Sequence, residues 1–140
     1  MSERVVELAF PAHARYLVLA RLSLAGVASV AQLGPEELAD LKLAVTEACA
    51  NVVRHAYPDG GGGDVRVRIV VEAGAVTVEV RDSGCGMPPG RIEPWDPSAL
   101  HEQGMGLSIV RSVVDDLEID SPATGGTLVR FTKRVGAPAP

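Results

Sequence analysis

Cysteine is scarce: Cys49 and Cys85 are the only two in 140 residues, too few for a disulfide framework or a structural zinc set. Histidine is nearly as sparse, and His13, His55 and His101 are scattered without metal-ligand spacing. No run of lysine and arginine occurs, and 13 basic against 18 acidic residues leave a formal net charge of −5. That balance excludes a protein that holds nucleic acid by electrostatics, because phosphate backbones are gripped by concentrated positive charge. The apolar stretches are short and interrupted, so none is expected to span a bilayer. The opening Met1-Ser2-Glu3-Arg4 lacks the basic and then apolar layout of a secretory leader. The expectation is a cytoplasmic protein without membrane or nucleic-acid contacts. Its length suits a single domain over residues 1–135, followed by a loose tail at 136–140.

What is present begins with Leu41 to Tyr57. Leu41, Ala44, Val45, Ala48 and Val52 recur at helical steps. On such a helix Glu47 and Asn51 stand one above the other, and Arg54 and His55 continue the stripe. An amide oxygen beside a carboxylate suits magnesium-dependent phosphate chemistry: the amide is a hard ligand and the carboxylate can take a proton. A solvated polar face on an amphipathic helix explains the same pattern, and from this helix alone it is the simpler reading.

The rest of the chain supplies further polar groups at defined places. Val5 to Phe10, ended by Pro11, reads as an edge strand, and Ala12 to about Val30 as a helix weakened by Gly26. Leu33-Gly34-Pro35-Glu36-Glu37 is a helix start, with proline early and acids in the first turn. The glycine run at 60–63 has no Gly-Lys-Ser/Thr and leads into a strand, so it is a connector. Val65, Val67, Ile69 and Val71, then Val76, Val78 and Val80, alternate with polar residues as two antiparallel strands about Gly74. One pleat further, Asp82 falls on the buried face, where a carboxylate requires a hydrogen-bonding partner or a ligand. Gly84 and Gly86 follow it, allowing close approach of backbone, and Pro88-Pro89 rules out a dinucleotide-binding helix. Residues 91–103 hold Pro94, Pro97 and Trp95 and form a long loop of the kind that serves as a lid. Gly104 and Gly106 open a helix from Leu107 to about Asp115, an arrangement that favours an anion through free amides and the helix dipole. Leu117 to Asp120 is a short strand. In the last strand, Gly126 to Arg134, Thr127 faces inward with Val129 and Phe131.

Each feature alone has an ordinary structural explanation. Their fixed order resembles the GHKL ATPase superfamily, the Bergerat fold of gyrase and the histidine kinases. The N box is matched by Glu47, Asn51, His55 and Tyr57; the glycine boxes by Asp82-Ser-Gly84-Cys-Gly86-Met87, by Gly104-Met-Gly106-Leu107 and by Gly125-Gly126-Thr127. Leu41-Lys-Leu-Ala-Val-Thr-Glu47 with Asn51 and His55-Ala-Tyr57 is similar to the small bacterial anti-sigma-factor serine kinases, and the resemblance runs from about Phe10 to Arg134.

The resemblance implies a two-layer α/β sandwich: a mixed, mostly antiparallel sheet covered on one face by three helices. It implies ATP and Mg²⁺ as cofactors. Asp82 would accept from the adenine amino group with Thr127 in support, and Gly84, Gly86 and Met87 would line the base. Asn51 would hold Mg²⁺, Gly104, Gly106 and Leu107 the phosphates, and Glu47 would be the general base. Residues 88–103 would be the lid. Implied partners are a sigma factor, a STAS-type antagonist phosphorylated on serine, and a second copy of the chain through the N-terminal region. One departure stands out: some relatives carry an arginine just before the second glycine box, where this chain has His101, Glu102 and Gln103. Arg54 or Arg91 would have to reach the terminal phosphate instead, or transfer is weak. The alternatives are an ATP-gated binding module without phosphotransfer and a detached histidine-kinase-like catalytic domain. Against the latter, no phosphoacceptor helix pair is seen.

Overall fold

The computed structural model describes residues 4–31, 33–56, 63–84, 106–121 and 125–135. In chain order these form β1 (Arg4–Pro11), a short 3-10 turn (Ala14–Tyr16), α1 (Leu17–Ala31), α2 (Pro35–His55), β2 (Asp64–Glu72), β3 (Ala75–Asp82), α3 (Gly106–Val113), β4 (Asp116–Asp120) and β5 (Thr127–Arg134). The strands make one five-stranded sheet in the order β1-β2-β3-β5-β4. Every pairing in it is antiparallel. The expected mostly antiparallel sheet is found, without a parallel pairing among the described strands.

Alternation sets the layers. In β3 the even-numbered Val76, Val78, Val80 and Asp82 are buried while Thr77, Glu79 and Arg81 face outward. Val65, Val67 and Ile69 of β2 and Val129 and Phe131 of β5 share that inner side. Against it pack Ala20, Leu24 and Val27 of α1, the Leu41–Val52 stripe of α2 and Val110 of α3. Two layers result, helices on one face and an open sheet face on the other.

Local signals bound the elements. Pro35 occupies the first turn of α2, where its missing N–H costs nothing, and the Glu37 carboxylate accepts from the Gly34 N–H at 2.8 Å. Glu36 and Glu37 sit at its positive end, Arg54 and His55 at its negative end. The β2–β3 turn needs Gly74, whose φ of 81° is strained for any residue with a side chain.

Ala14–Ala31 forms a helical stretch of 18 residues that by length and composition alone is long and apolar enough to cross a membrane. Arg15 and Arg21 interrupt it but leave the average apolar. Its Ala20, Leu24, Val27 and Ala28 are packed into the core, so the same apolar character serves as the inner face of α1.

Candidate nucleotide site

The site is built along α2. Ala48, Cys49 and Val52 turn into the core, which rotates Glu47 and Asn51 to the half-exposed side and Arg54 to solvent. Burial pushes the Cys49 thiol up to about 12, so it is an inert packing residue and not a nucleophile.

Gly106, the first residue of α3, lies directly over this stripe. A β-carbon built on it would stand 3.3 Å from both Arg54 Nη2 and Glu47 Oε1. The N-terminal amides of α3 therefore open beside one carboxylate and one guanidinium. A helix start carries unpaired N–H groups and about half a positive charge. Together with Arg54 it could hold an anion such as phosphate, with Glu47 beside it. Leu107 is partly buried and packs on the core, anchoring that first turn. The far end of α3 is fastened by Lys133: its Nζ donates to the Val113 carbonyl at 2.9 Å and pairs with Asp40 of α2 at 2.9 Å. Nothing in the sequence pattern marked that clasp, because its members are 93 and 20 residues apart from Lys133 in the chain.

At the other end of the site, Asp82 closes β3 and is only 6% exposed. It sits between Val65 of β2 and Thr127 of β5 in register. Burial raises its carboxyl above the usual range, while hydrogen bonds from the backbone N–H groups of Gly84 and Thr127 act in the opposite sense; the Gly84 bond to Oδ1 is 2.8 Å. Thr127 is 8% exposed. Gly126 brings the third glycine box against the first: its φ is 83°, and a β-carbon there would collide with the Asp82 carbonyl.

The space beside Gly84 is taken by Ala56, whose carbonyl a β-carbon would strike. Gly84 thus packs the end of β3 onto the end of α2. α2 becomes a ruler with Asp82 held near Ala56 at one end and Gly106 over Glu47 and Arg54 further back. At about 1.5 Å per residue, Glu47 and Ala56 are separated by about 13.5 Å along the axis.

The structure thus brings together Glu47, Arg54 and Gly106, and separately Asp82, Gly84, Gly126 and Thr127, joined through α2. Asn51 lies on α2 between Glu47 and Arg54. Gly86, Met87, Gly104, Arg91, the 88–103 loop and positions 101–103 lie outside the described residues. Among the described residues no three His, Cys, Asp or Glu side chains gather as a metal set. A metal here would have Asn51 and substrate oxygens as ligands, the pattern that suits Mg²⁺ rather than zinc.

Residues 10–133 match the family model described as histidine kinase-like ATPase domain. A serine-protein kinase RsbW of Bacillus velezensis is 35% identical over 136 residues, covering 91% of this chain and 84% of that protein. An anti-sigma F factor of Caldanaerobacter subterraneus subsp. tengcongensis is 36% identical over 138 residues, covering 94% of each. Among solved structures, the RsbU and RsbW domains of Rv1364c from Mycobacterium tuberculosis superpose with a TM-score of 0.72 at 22% identity, over 97% of this chain and 34% of that one. At that identity the structural likeness speaks to the fold.

Proposed function

Because this chain belongs to the histidine kinase-like ATPase domain family and to the group of RsbW and anti-sigma F relatives, we propose that it is a cytoplasmic, ATP-binding anti-sigma factor with serine kinase activity. It sequesters a sigma factor and phosphorylates a STAS-type antagonist on serine. The observation that carries the reading is the meeting of Gly106 with Glu47 and Arg54. It offers a phosphate seat and a base side by side, since Glu47 and Arg54 both reach to 3.3 Å from one β-carbon position on Gly106.

In this reading the buried Asp82 carboxylate accepts from the adenine amino group, with Thr127 beside it; Gly84, Gly86 and Met87 border the base. Asn51 holds Mg²⁺, which when bound would neutralise phosphate charge. Gly104, Gly106 and Leu107 present the α3 amides to the phosphates, and Arg54 stands where it can meet the terminal one. Glu47 takes the proton of the antagonist's serine hydroxyl as that oxygen bonds to the terminal phosphorus. The bond from phosphorus to the bridging oxygen breaks and ADP leaves. Phosphoryl transfer needs positioning and charge neutralisation more than covalent help, which is what this set of residues offers.

A homodimer through the N-terminal region belongs to the same proposal. On the outer side of α1, Val18, Leu19, Leu22 and Val30 remain 42%, 40%, 61% and 65% exposed. Clustered apolar exposure of that kind marks a surface that is covered in the working molecule.

The test is transfer from γ-labelled Mg-ATP to proteins of the source organism's extract. Acid-stable label on one small protein, identified as phosphoserine and lost with Glu47→Ala, supports the kinase. ATP binding with no labelled protein would overturn it in favour of an ATP-gated binder, for which the absent arginine at 101–103 is the specific argument.

A further inference from the structure

The open face of the sheet carries its charges in rows. Across one row, β1 to β4 in sheet order, stand Glu7, Arg68, Glu79, Arg130 and Glu118, alternating in sign over all five strands. Arg130 pairs with Glu79 at 2.7 Å and with Glu118 at 3.0 Å, and Arg68 lies 3.8 Å from Glu7 and 3.7 Å from Glu79. This is how a solvent-facing sheet disposes of charge: opposite signs opposite one another.

The next row breaks that rule. Arg66 of β2 and Arg81 of β3 are register partners, both exposed. Directly opposed residues on antiparallel strands have Cα atoms about 4.5–5.5 Å apart, and like charges there are destabilising. Neither arginine makes an ion pair among the described residues. Their immediate neighbours in the row, Ala9 on β1 and Leu128 on β5, are apolar, and Asp120 on β4 closes it beyond Leu128. Arg66 and Arg81 line a cavity of about 570 Å³ on the outer face together with Ala9 and with the engaged Glu7, Arg68 and Glu79. In a chain of net charge −5, this is a local concentration of unneutralised positive charge at the end of the sheet.

We propose that Arg66 and Arg81 form a docking site for an acidic segment of a partner protein, on the sheet face opposite the nucleotide site. Charge complementarity selects the occupant. Paired guanidinium forks match carboxylates with two hydrogen bonds each, and the small exposed Ala9 beside Arg66 leaves room for a neighbouring side chain. The carboxylates of Glu7 and Glu79 on the same cavity disfavour a free dianion, whereas a peptide can direct its acids toward Arg66 and Arg81 and away from the glutamates. The like-charged pair is then a cost of the free protein that the bound partner relieves. This inference does not depend on the phosphotransfer reading, since no residue is shared with it.

The experiment is titration of the ¹⁵N-labelled full chain with a synthetic peptide alternating Glu and Leu, with its Gln-for-Glu counterpart, and with inorganic phosphate. The acidic peptide is expected to shift the amides of residues 66–68 and 79–81, with at least tenfold weaker binding to Arg66→Gln/Arg81→Gln and none for the Gln peptide. The same double variant is expected to melt no lower than the parent and to bind ATP with unchanged affinity. No shift with the acidic peptide, equal binding by the double variant, or saturation by phosphate at equal or lower concentration would each overturn the proposal. So would loss of folding or of ATP binding in the variant, because the arginines would then be structural.

Discussion

Asp82 is where chemistry and stability pull against each other. Burial holds its carboxyl above the ordinary value of 3.8, so the folded chain keeps that proton at a pH where the unfolded chain has released it. The stability linked to this group is fully present below the unfolded value and is lost as pH rises through the folded one. Asp82→Asn removes the ionised form at neutral pH. Its expected outcome is a nucleotide-free protein that melts at a higher temperature at pH 7 and unchanged at pH 3, measured by calorimetry. The same variant is expected to bind ATP about ten- to hundredfold more weakly, the scale of one charged hydrogen bond; undiminished affinity would remove Asp82 from the pocket. Glu47→Gln separates binding from chemistry: ATP affinity should hold within about twofold while transfer drops by the roughly 10²–10⁴ that a general base contributes.

At the scale of elements, glycines do three different jobs, and substitution separates them. Gly74 has open space around its missing β-carbon and only a positive φ, so Gly74→Ala should cost about 1–2 kcal/mol in urea unfolding. Gly126 combines positive φ with the collision against Asp82, so Gly126→Ala should cost about 2–4 kcal/mol, a larger loss than at Gly74. Gly106 meets the ends of two flexible side chains at 3.3 Å, and the Glu47 backbone carbonyl only at an ordinary contact distance of 3.5 Å. Gly106→Ala should therefore leave stability unchanged or raise it by up to about 1 kcal/mol, through helix propensity, yet push Glu47 and Arg54 aside and slow transfer. A fold lost at Gly106, or equal costs at Gly74 and Gly126, would contradict this account of the packing.

For the whole molecule, the exposed stripe of α1 gives the assembly prediction. Light scattering should find a dimer, and Leu22→Asp should yield a folded monomer; a monomeric parent chain would refute it. Much of the rest was legible in the chain itself. Period-two alternation in β2 and β3 determined which face is buried and carried Asp82 inward with Val76, Val78 and Val80. The 3.6-residue period of α2 set Glu47 and Asn51 on one side, and Pro35 with its acids marked where that helix begins. These are local consequences of pleat and helix geometry, available from spacing alone. What only the tertiary structure decided are the meetings between distant segments. Gly84 meets Ala56, 28 residues away in the chain, which fills the space beside it. Gly106 lies over Glu47 and Arg54, and Lys133 joins α2 to α3. The opposition of Arg66 to Arg81 depends on the strand register, which the turn at Gly74 sets. Spacing determines the face on which a residue stands; which residue it meets there depends on how the layers close, and no local period encodes that.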